Sequence, residues 1–264
     1  MYLWIHRRFC EICNLLKQGL KKMERIDKIL ANFGGMSRND ARTAVKQGRV
    51  KVNGTVIKDF GAKVNDTDDV NLDGKHINLS KYRYFMLNKP SGYISSTEAE
   101  PGDESPNVIS LFKNEGIKGL FPVGRLDKDT TGLLLITNDG ELGHRLTAPG
   151  KHVDKTYEAG VTGKLDEKAV EAFAKGFEFK EFVSAPAKLE IIETGSLEGD
   201  PEQGYSLARV TISEGKFHQV KRMFLKVGCE VTALKRISMG NLKLDERLKP
   251  GEYRELSEDE IKSI

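Results

Sequence analysis

Asp127 stands in the loop Gly124-Arg-Leu-Asp-Lys-Asp-Thr-Thr-Gly132, which runs straight into the apolar stretch Leu133-Leu-Leu-Ile136. An acid held against a buried strand can be desolvated and positioned for acid, base or nucleophilic work. A lone aspartate in such a loop can also do no more than cap a turn. A second candidate lies on residues 216–227, where Phe217, Val220, Met223, Phe224 and Val227 form the apolar arc of a helix. Lys221 falls on the edge of that arc, between Phe217 and Leu225, while His218, Arg222 and Lys226 point outward. An unpaired buried charge is costly, so Lys221 either meets a carboxylate or snorkels, its stem buried and its head in water.

Other groupings invite chemistry less well. Asp127-Lys-Asp129-Thr-Thr131 fits the D-x-D-x-T pattern of phosphoaspartyl hydrolases. There a buried strand should lead into the first acid; here Pro122, Gly124 and Arg125 break the approach, and the strand follows instead. Cys10-Glu-Ile-Cys13, with His6 nearby, lacks the further spaced ligands of a zinc site. Asp66, Asp68 and Asp69 read as a turn, because strand-like sequence continues beyond them.

The elements that must position these groups fall into two blocks. Ile26, Ile29, Leu30 and Phe33 recur at helical spacing, and Gly34-Gly35 follow as a stop. Ser37 begins a second helix, with Asp40 in the place of the usual capping-box glutamate. On it Arg38, Arg42 and Lys46 share one face, a cationic stripe suited to phosphates but equally to solvent. Asn53-Gly54, between alternating apolar residues, predicts a hairpin beginning at Arg49. From residue 82 onward strand-like segments at 83–87, 133–137, 155–161, 188–193 and 207–213 interleave with helical patterns at 166–175 and 216–227. This predicts an α+β fold, a small helix-helix-hairpin domain at 23–80 followed by a larger domain at 82–264 on a mixed, largely antiparallel sheet. Residues 195–204, with Gly, Ser, Glu, Asp and Pro, read as a mobile loop.

The chain has 264 residues, of which 31% are charged. Its apolar run at 133–136 is far shorter than the roughly 20 residues a membrane helix needs, and three cysteines exclude a disulfide scaffold. The net charge of +3 is uneven: residues 1–22 carry +4 and the rest −1. A basic surface must therefore come from local arrangement. Residues 1–22 lack the pattern of a secretory leader, and the fold pattern begins at Met23. They are expected to be a disordered extension or the product of a mis-assigned start.

Two resemblances join these readings. Arg25-Ile-Asp-Lys-Ile-Leu, Ser37-Arg38, Ala41-Arg42 and Gly48-Arg-Val-Lys-Val-Asn-Gly54 together resemble the alpha-L RNA-binding module of the S4 type. Asn88-Lys-Pro-x-Gly92, Gly124-Arg-Leu-Asp-x-x-Thr-Thr-Gly132, Lys155-Thr-Tyr157, Glu214-Gly-Lys-Phe-His-Gln-Val-Lys221 and Pro250-Gly-Glu-Tyr-Arg254 follow in order. Together they resemble the RNA pseudouridine synthases of the small-subunit rRNA type. Thr131 stands where many members have Ser, and residues 1–22 have no counterpart.

The resemblance implies isomerisation of a uridine with Asp127 as the essential carboxylate, Tyr157 against the uracil, and Lys221 paired with Asp127. It implies that Arg125 fills the gap left by a flipped nucleotide. It makes Lys89 and Arg222 phosphate contacts, beside Arg38, Arg42, Lys46 and Arg49 of the small module. The reaction needs no redox change or group donor, so no cofactor and no metal are expected. The expected partner is ribosomal RNA or a small-subunit assembly intermediate, with no membrane. The protein is expected to be a cytoplasmic monomer acting on 16S rRNA. A large-subunit target is the next reading, and a non-catalytic assembly factor the rival.

Overall fold

The computed structural model describes residues 23–264 apart from 81, 99–101, 103, 149–152 and 198–199. Cys10, Cys13, His6 and the extension read for residues 1–22 lie outside the described residues. The chain divides into two compact units, one reaching to Lys81 and including Lys113–Ile117, the other comprising Tyr82–Phe112 and Lys118–Ile264.

In the first unit β1 (Glu24–Arg25) leads into α1 (Ile26–Phe33) and α2 (Arg38–Lys46). Ser37 caps α2, its hydroxyl accepting from the Asp40 amide. Ile26, Ile29 and Leu30 of α1 meet Ala41, Ala44 and Val45 of α2 in one buried cluster. Strands β2 (Val50–Val52) and β3 (Thr55–Val56) form the expected hairpin. Asn53 and Gly54 turn it with φ of 51° and 79°, as a two-residue hairpin turn requires. β4 (Lys63–Val64) pairs with β1, while β5 (Val70–Leu72) and β6 (Lys75–Ile77) extend the hairpin into a sheet ordered β3-β2-β5-β6. The acidic loop closes as a turn: Asp68 accepts from the Asn65 amide at 2.7 Å and from the Asn53 side chain at 3.0 Å.

The second unit is built on one sheet. Its elements are β7 (Tyr84–Lys89), β8 (Phe121–Pro122), β9 (Thr131–Thr137), α3 (Gly140–Thr147), β10 (Lys155–Thr162), α4 (Glu167–Lys175), β11 (Lys188–Leu197), β12 (Asp200–Ile212), α5 (Gln219–Lys226), β13 (Val231–Met239), β14 (Leu242–Lys243), β15 (Tyr253–Glu255) and α6 (Glu258–Ser263). The strand order is β11-β12-β10-β13-β9-β7-β15, with β14 beside β13 and β8 beside β9. Every pairing between these strands is antiparallel except β13 with β9. Leu133 to Ile136 are all fully buried, because both faces of this central strand are covered. Leu133 and Leu135 join Met86, Val123, Leu142 and Met239 in the core on one face.

Two local expectations are corrected. Residues 195–197 and 200–204 belong to the long strands β11 and β12, with Gly195 opposite Tyr205 and Ser196 opposite Gly204. The ladder there is carried by the backbone at Gly195, Ser196, Gly204 and Tyr205, so a loop-like composition did not stop it. The apolar helix of 216–227 begins only at Gln219 and ends at Lys226. Phe217 therefore precedes the helix and is 76% exposed instead of joining its apolar arc, and Leu225 is exposed as well.

Candidate active site

The loop before β9 is gripped from inside. Lys89, at the end of β7, is completely buried. Its ammonium donates to the carbonyls of Pro90, Asp127 and Lys128 at 3.1 Å each and of Thr130 at 2.8 Å. The Thr130 amide donates to the Asp127 carbonyl, closing the turn. Ser95 fixes the preceding residue, donating to the Leu126 carbonyl and accepting from its amide. Lys89 is therefore an internal strut, which corrects its reading as a phosphate contact: no part of it reaches the surface. Burial lowers its pKa to about 8.

Below the loop, Gly132 is where β9 crosses β13. It has a φ of 96°, and a Cβ there would sit 2.3 Å from the Arg236 carbonyl oxygen. This close approach makes the parallel pairing of Lys235 with Thr131 and Arg236 with Gly132 possible.

The opposing wall comes from α5 and the turn before it. Gln219 is buried and organises that turn. Its side chain accepts from the Lys216 amide at 2.9 Å and donates to Glu214 at 2.7 Å, while Glu214 also accepts from the Ala185 amide. His218 takes a left-handed φ of 51°, and its Nε2 comes within 3.6 Å of Asp127 Oδ1. From the first turn of α5, Lys221 Nζ lies 3.5 Å from Asp127 Oδ2. It donates to both oxygens of Asp129, at 2.6 and 2.7 Å. The ammonium is thus shared, hydrogen-bonded to Asp129 and within ion-pair range of Asp127. This hydrogen bond holds the Asp129 carboxyl below the usual carboxylate range.

Tyr157 of β10 closes the cleft. It is 7% exposed and lines a cavity of about 70 Å³ with Asp127, Thr130, Ile212, Lys221 and Leu234. Arg125, exposed at the mouth, lines the same cavity. Thr130 Oγ1 is buried and has no hydrogen-bond partner among the described residues. The chemistry available is that of a partly exposed carboxylate, held between two cationic or ionisable groups and facing an aromatic ring.

The comparisons decide what kind of enzyme this is. The family model described as RNA pseudouridylate synthase matches residues 83–226, and the S4 domain model matches residues 24–70. This chain belongs to the RNA pseudouridine synthase family. An uncharacterised RNA pseudouridine synthase of Bacillus subtilis is 42% identical over 240 residues, covering 90% of this chain and 96% of its own. The ribosomal small subunit pseudouridine synthase A of Escherichia coli K12 is 40% identical over 243 residues, covering 91% of this chain and 99% of its own. A crystal structure titled as a pseudouridylate synthase matches with a TM-score of 0.61 and 36% identity, over 90% of this chain and 98% of that one. The pseudouridine synthase is thus an isomerase acting on RNA, which removes the phosphoaspartyl rival.

Of the residues singled out in the sequence, Asp127, Tyr157, Lys221 and Arg125 line one cleft. Arg222 does not line that cleft. Its guanidinium donates to Glu181 at 2.5 Å and stacks over the rings of Phe179 and Phe182 at 4.7 and 5.1 Å. Within the S4 unit the cationic stripe is unequal. Arg38 and Lys46 are exposed, whereas Arg42 donates to the fully buried Asp27 at 3.1 Å. Burial alone would raise the Asp27 carboxyl, but hydrogen bonds from Arg25 and Arg42 hold it below its ordinary value. Arg49 pairs with Asp73. Sequence reasoning missed His218, Gln219 and Asp129. His218 was assigned to the outer face on the assumption that the helix began at 216; its left-handed turn swings it inward.

Proposed function

We propose that the protein converts one uridine of 16S rRNA to pseudouridine, with Asp127 as the essential carboxylate. The observation that carries this reading is the single cleft shared by Asp127, Tyr157 and Lys221 in a chain of this family. Two relatives of about 40% identity and nearly equal length, from Escherichia coli and Yersinia pestis, bear the name ribosomal small subunit pseudouridine synthase A.

The reaction breaks the bond between ribose C1′ and uracil N1, turns the base, and joins C1′ to C5. The C5 proton leaves and N1 ends protonated, so the product is an isomer. A carboxylate beside C1′ acts as nucleophile or as partner of the developing positive charge, as in glycoside hydrolysis. Lys221 orients that carboxylate, and Asp129 holds Lys221 in place. The Tyr157 ring stacks on the uracil and serves in proton removal at C5. Thr130 Oγ1 offers a hydrogen bond to the bound nucleoside, and Arg125 occupies the space the flipped uridine leaves in its helix. The S4 unit, residues 23–80, supplies phosphate contacts through Arg38, Lys46 and neighbouring cations. An rRNA substrate supports a cytoplasmic location, and the expected state is a monomer.

Carbodiimide-primed reverse transcription of rRNA from cells lacking the protein tests the assignment. One 16S stop should vanish and return with wild-type protein but not with Asp127→Asn, while RNA binding by that variant stays within a few-fold. Loss of a large-subunit stop instead would move the target. Persistence of every stop would leave only an assembly role, and full activity in Asp127→Asn would remove Asp127 from the mechanism.

A further inference from the structure

Phe217 is the most exposed large apolar side chain among the described residues, at 76%. It lies on the turn that carries His218, and the two rings stack with centroids 3.8 Å apart and planes 17° from parallel. His218 in turn reaches Asp127. The pair is not loosely held, because Gln219 and Glu214 fix the turn from below. A groove of about 390 Å³ opens beside the cleft, lined by Phe217, Ile94, Ser95 and Lys128. It shares Arg125, Asp127, Lys216 and His218 with the cleft itself, so the two are continuous.

A uridine within an RNA chain cannot enter the cleft alone; its neighbouring nucleotide must lie against whatever adjoins the mouth. Here that surface is one flat aromatic step flanked by Arg125, Lys128 and Lys216, the combination that holds single-stranded nucleic acid by stacking and charge. We propose that Phe217, backed by His218, is a stacking platform for the base of the nucleotide next to the target uridine. The catalytic unit then binds two consecutive nucleotides, one against Tyr157 and one against Phe217. This rests on the pseudouridine synthase reading of the cleft. Stacking tolerates any base, so the subsite contributes affinity and placement without reading sequence.

Steady-state release of tritium from a 16S rRNA transcript labelled at uridine C5 separates binding from chemistry. Phe217→Leu should raise KM between about five- and a hundred-fold with kcat within about three-fold, while Phe217→Trp should stay close to wild type in both. An unchanged KM in Phe217→Leu overturns the platform, as does a fall in kcat alone. So does a lowered melting temperature, since a ring that only packs would be missed in folding. A second readout does not depend on turnover. Trp4 is the chain's one tryptophan, so Phe217→Trp in a Trp4→Phe background is a sole reporter at the platform. Its fluorescence should be quenched when the same transcript binds. Binding by filter retention without quenching overturns the platform. A transcript that wild type binds and quenches but does not isomerise would count against the reaction and leave the platform standing.

Discussion

At the scale of single residues, the loop that presents Asp127 is held by a lysine that never meets solvent. Lys89 offers three N–H donors to four carbonyls, and the loop that presents Asp127 is shaped by that grip. Lys89→Met should leave those carbonyls without a donor and destabilise the catalytic unit by roughly 2–5 kcal/mol at pH 7. Its pH signature is distinctive. The folded state holds the Lys89 proton with a pKa of about 8 against an ordinary value of 10.5. Between those values the unfolded chain binds more protons, so the contribution of Lys89 to stability rises with pH across that window. Wild type should gain on Lys89→Met from about pH 8 upward, by no more than about 1.4 kcal/mol per pH unit, in parallel urea titrations. Parallel curves for the two proteins would show that Lys89 titrates as a solvated lysine.

At the scale of elements, the cleft depends on one crossing. Strands β9 and β13 run parallel for two residue pairs, and Gly132 lets the backbone of Arg236 pass where a side chain would stand. Gly132→Ala combines a left-handed φ with a Cβ in contact with two backbone atoms of Arg236. The cost should exceed about 3 kcal/mol in a urea titration, with activity lost along with the fold. A stable, active Gly132→Ala would mean that the crossing can relax. The element that faces this crossing, α5, was legible in outline. Val220, Met223 and Phe224 pack as their spacing requires. Its start was not legible, because a partly buried hydrogen bond between Gln219 and Glu214, five residues apart, organises the preceding turn. No periodicity reports such a bond.

At the scale of the whole molecule, two units carry separate tasks, and the S4 unit should account for most of the salt dependence of RNA binding. Arg38 and Lys46 are the exposed members of its stripe, while Arg42 is committed to the buried Asp27. Replacing Arg38 and Lys46 together by Gln should reduce the slope of log K against log salt by about 1.5 without loss of stability. Arg42→Gln should instead lower the stability of this unit, leaving Asp27 with Arg25 alone. An unchanged slope in the double variant, followed by filter binding from 50 to 200 mM salt, would place the RNA elsewhere.

Local patterns are enough for much of this. The caps at Ser37 and Asp166, the Asn53-Gly54 turn and the alternation of β10 each depend on neighbours within a few residues. The ordered motifs around Asp127, Tyr157 and Lys221 likewise identify the family in one dimension. What only the tertiary structure decided are the partners reached through space: Lys89 turned inward beneath the loop, Arg222 laid over Phe179, Lys221 shared with Asp129, and Phe217 left outside. A lysine or arginine carries the same charge in all these settings. Whether it meets RNA, a carbonyl or a ring depends on which strand crosses it, and that crossing is a property of the folded sheet.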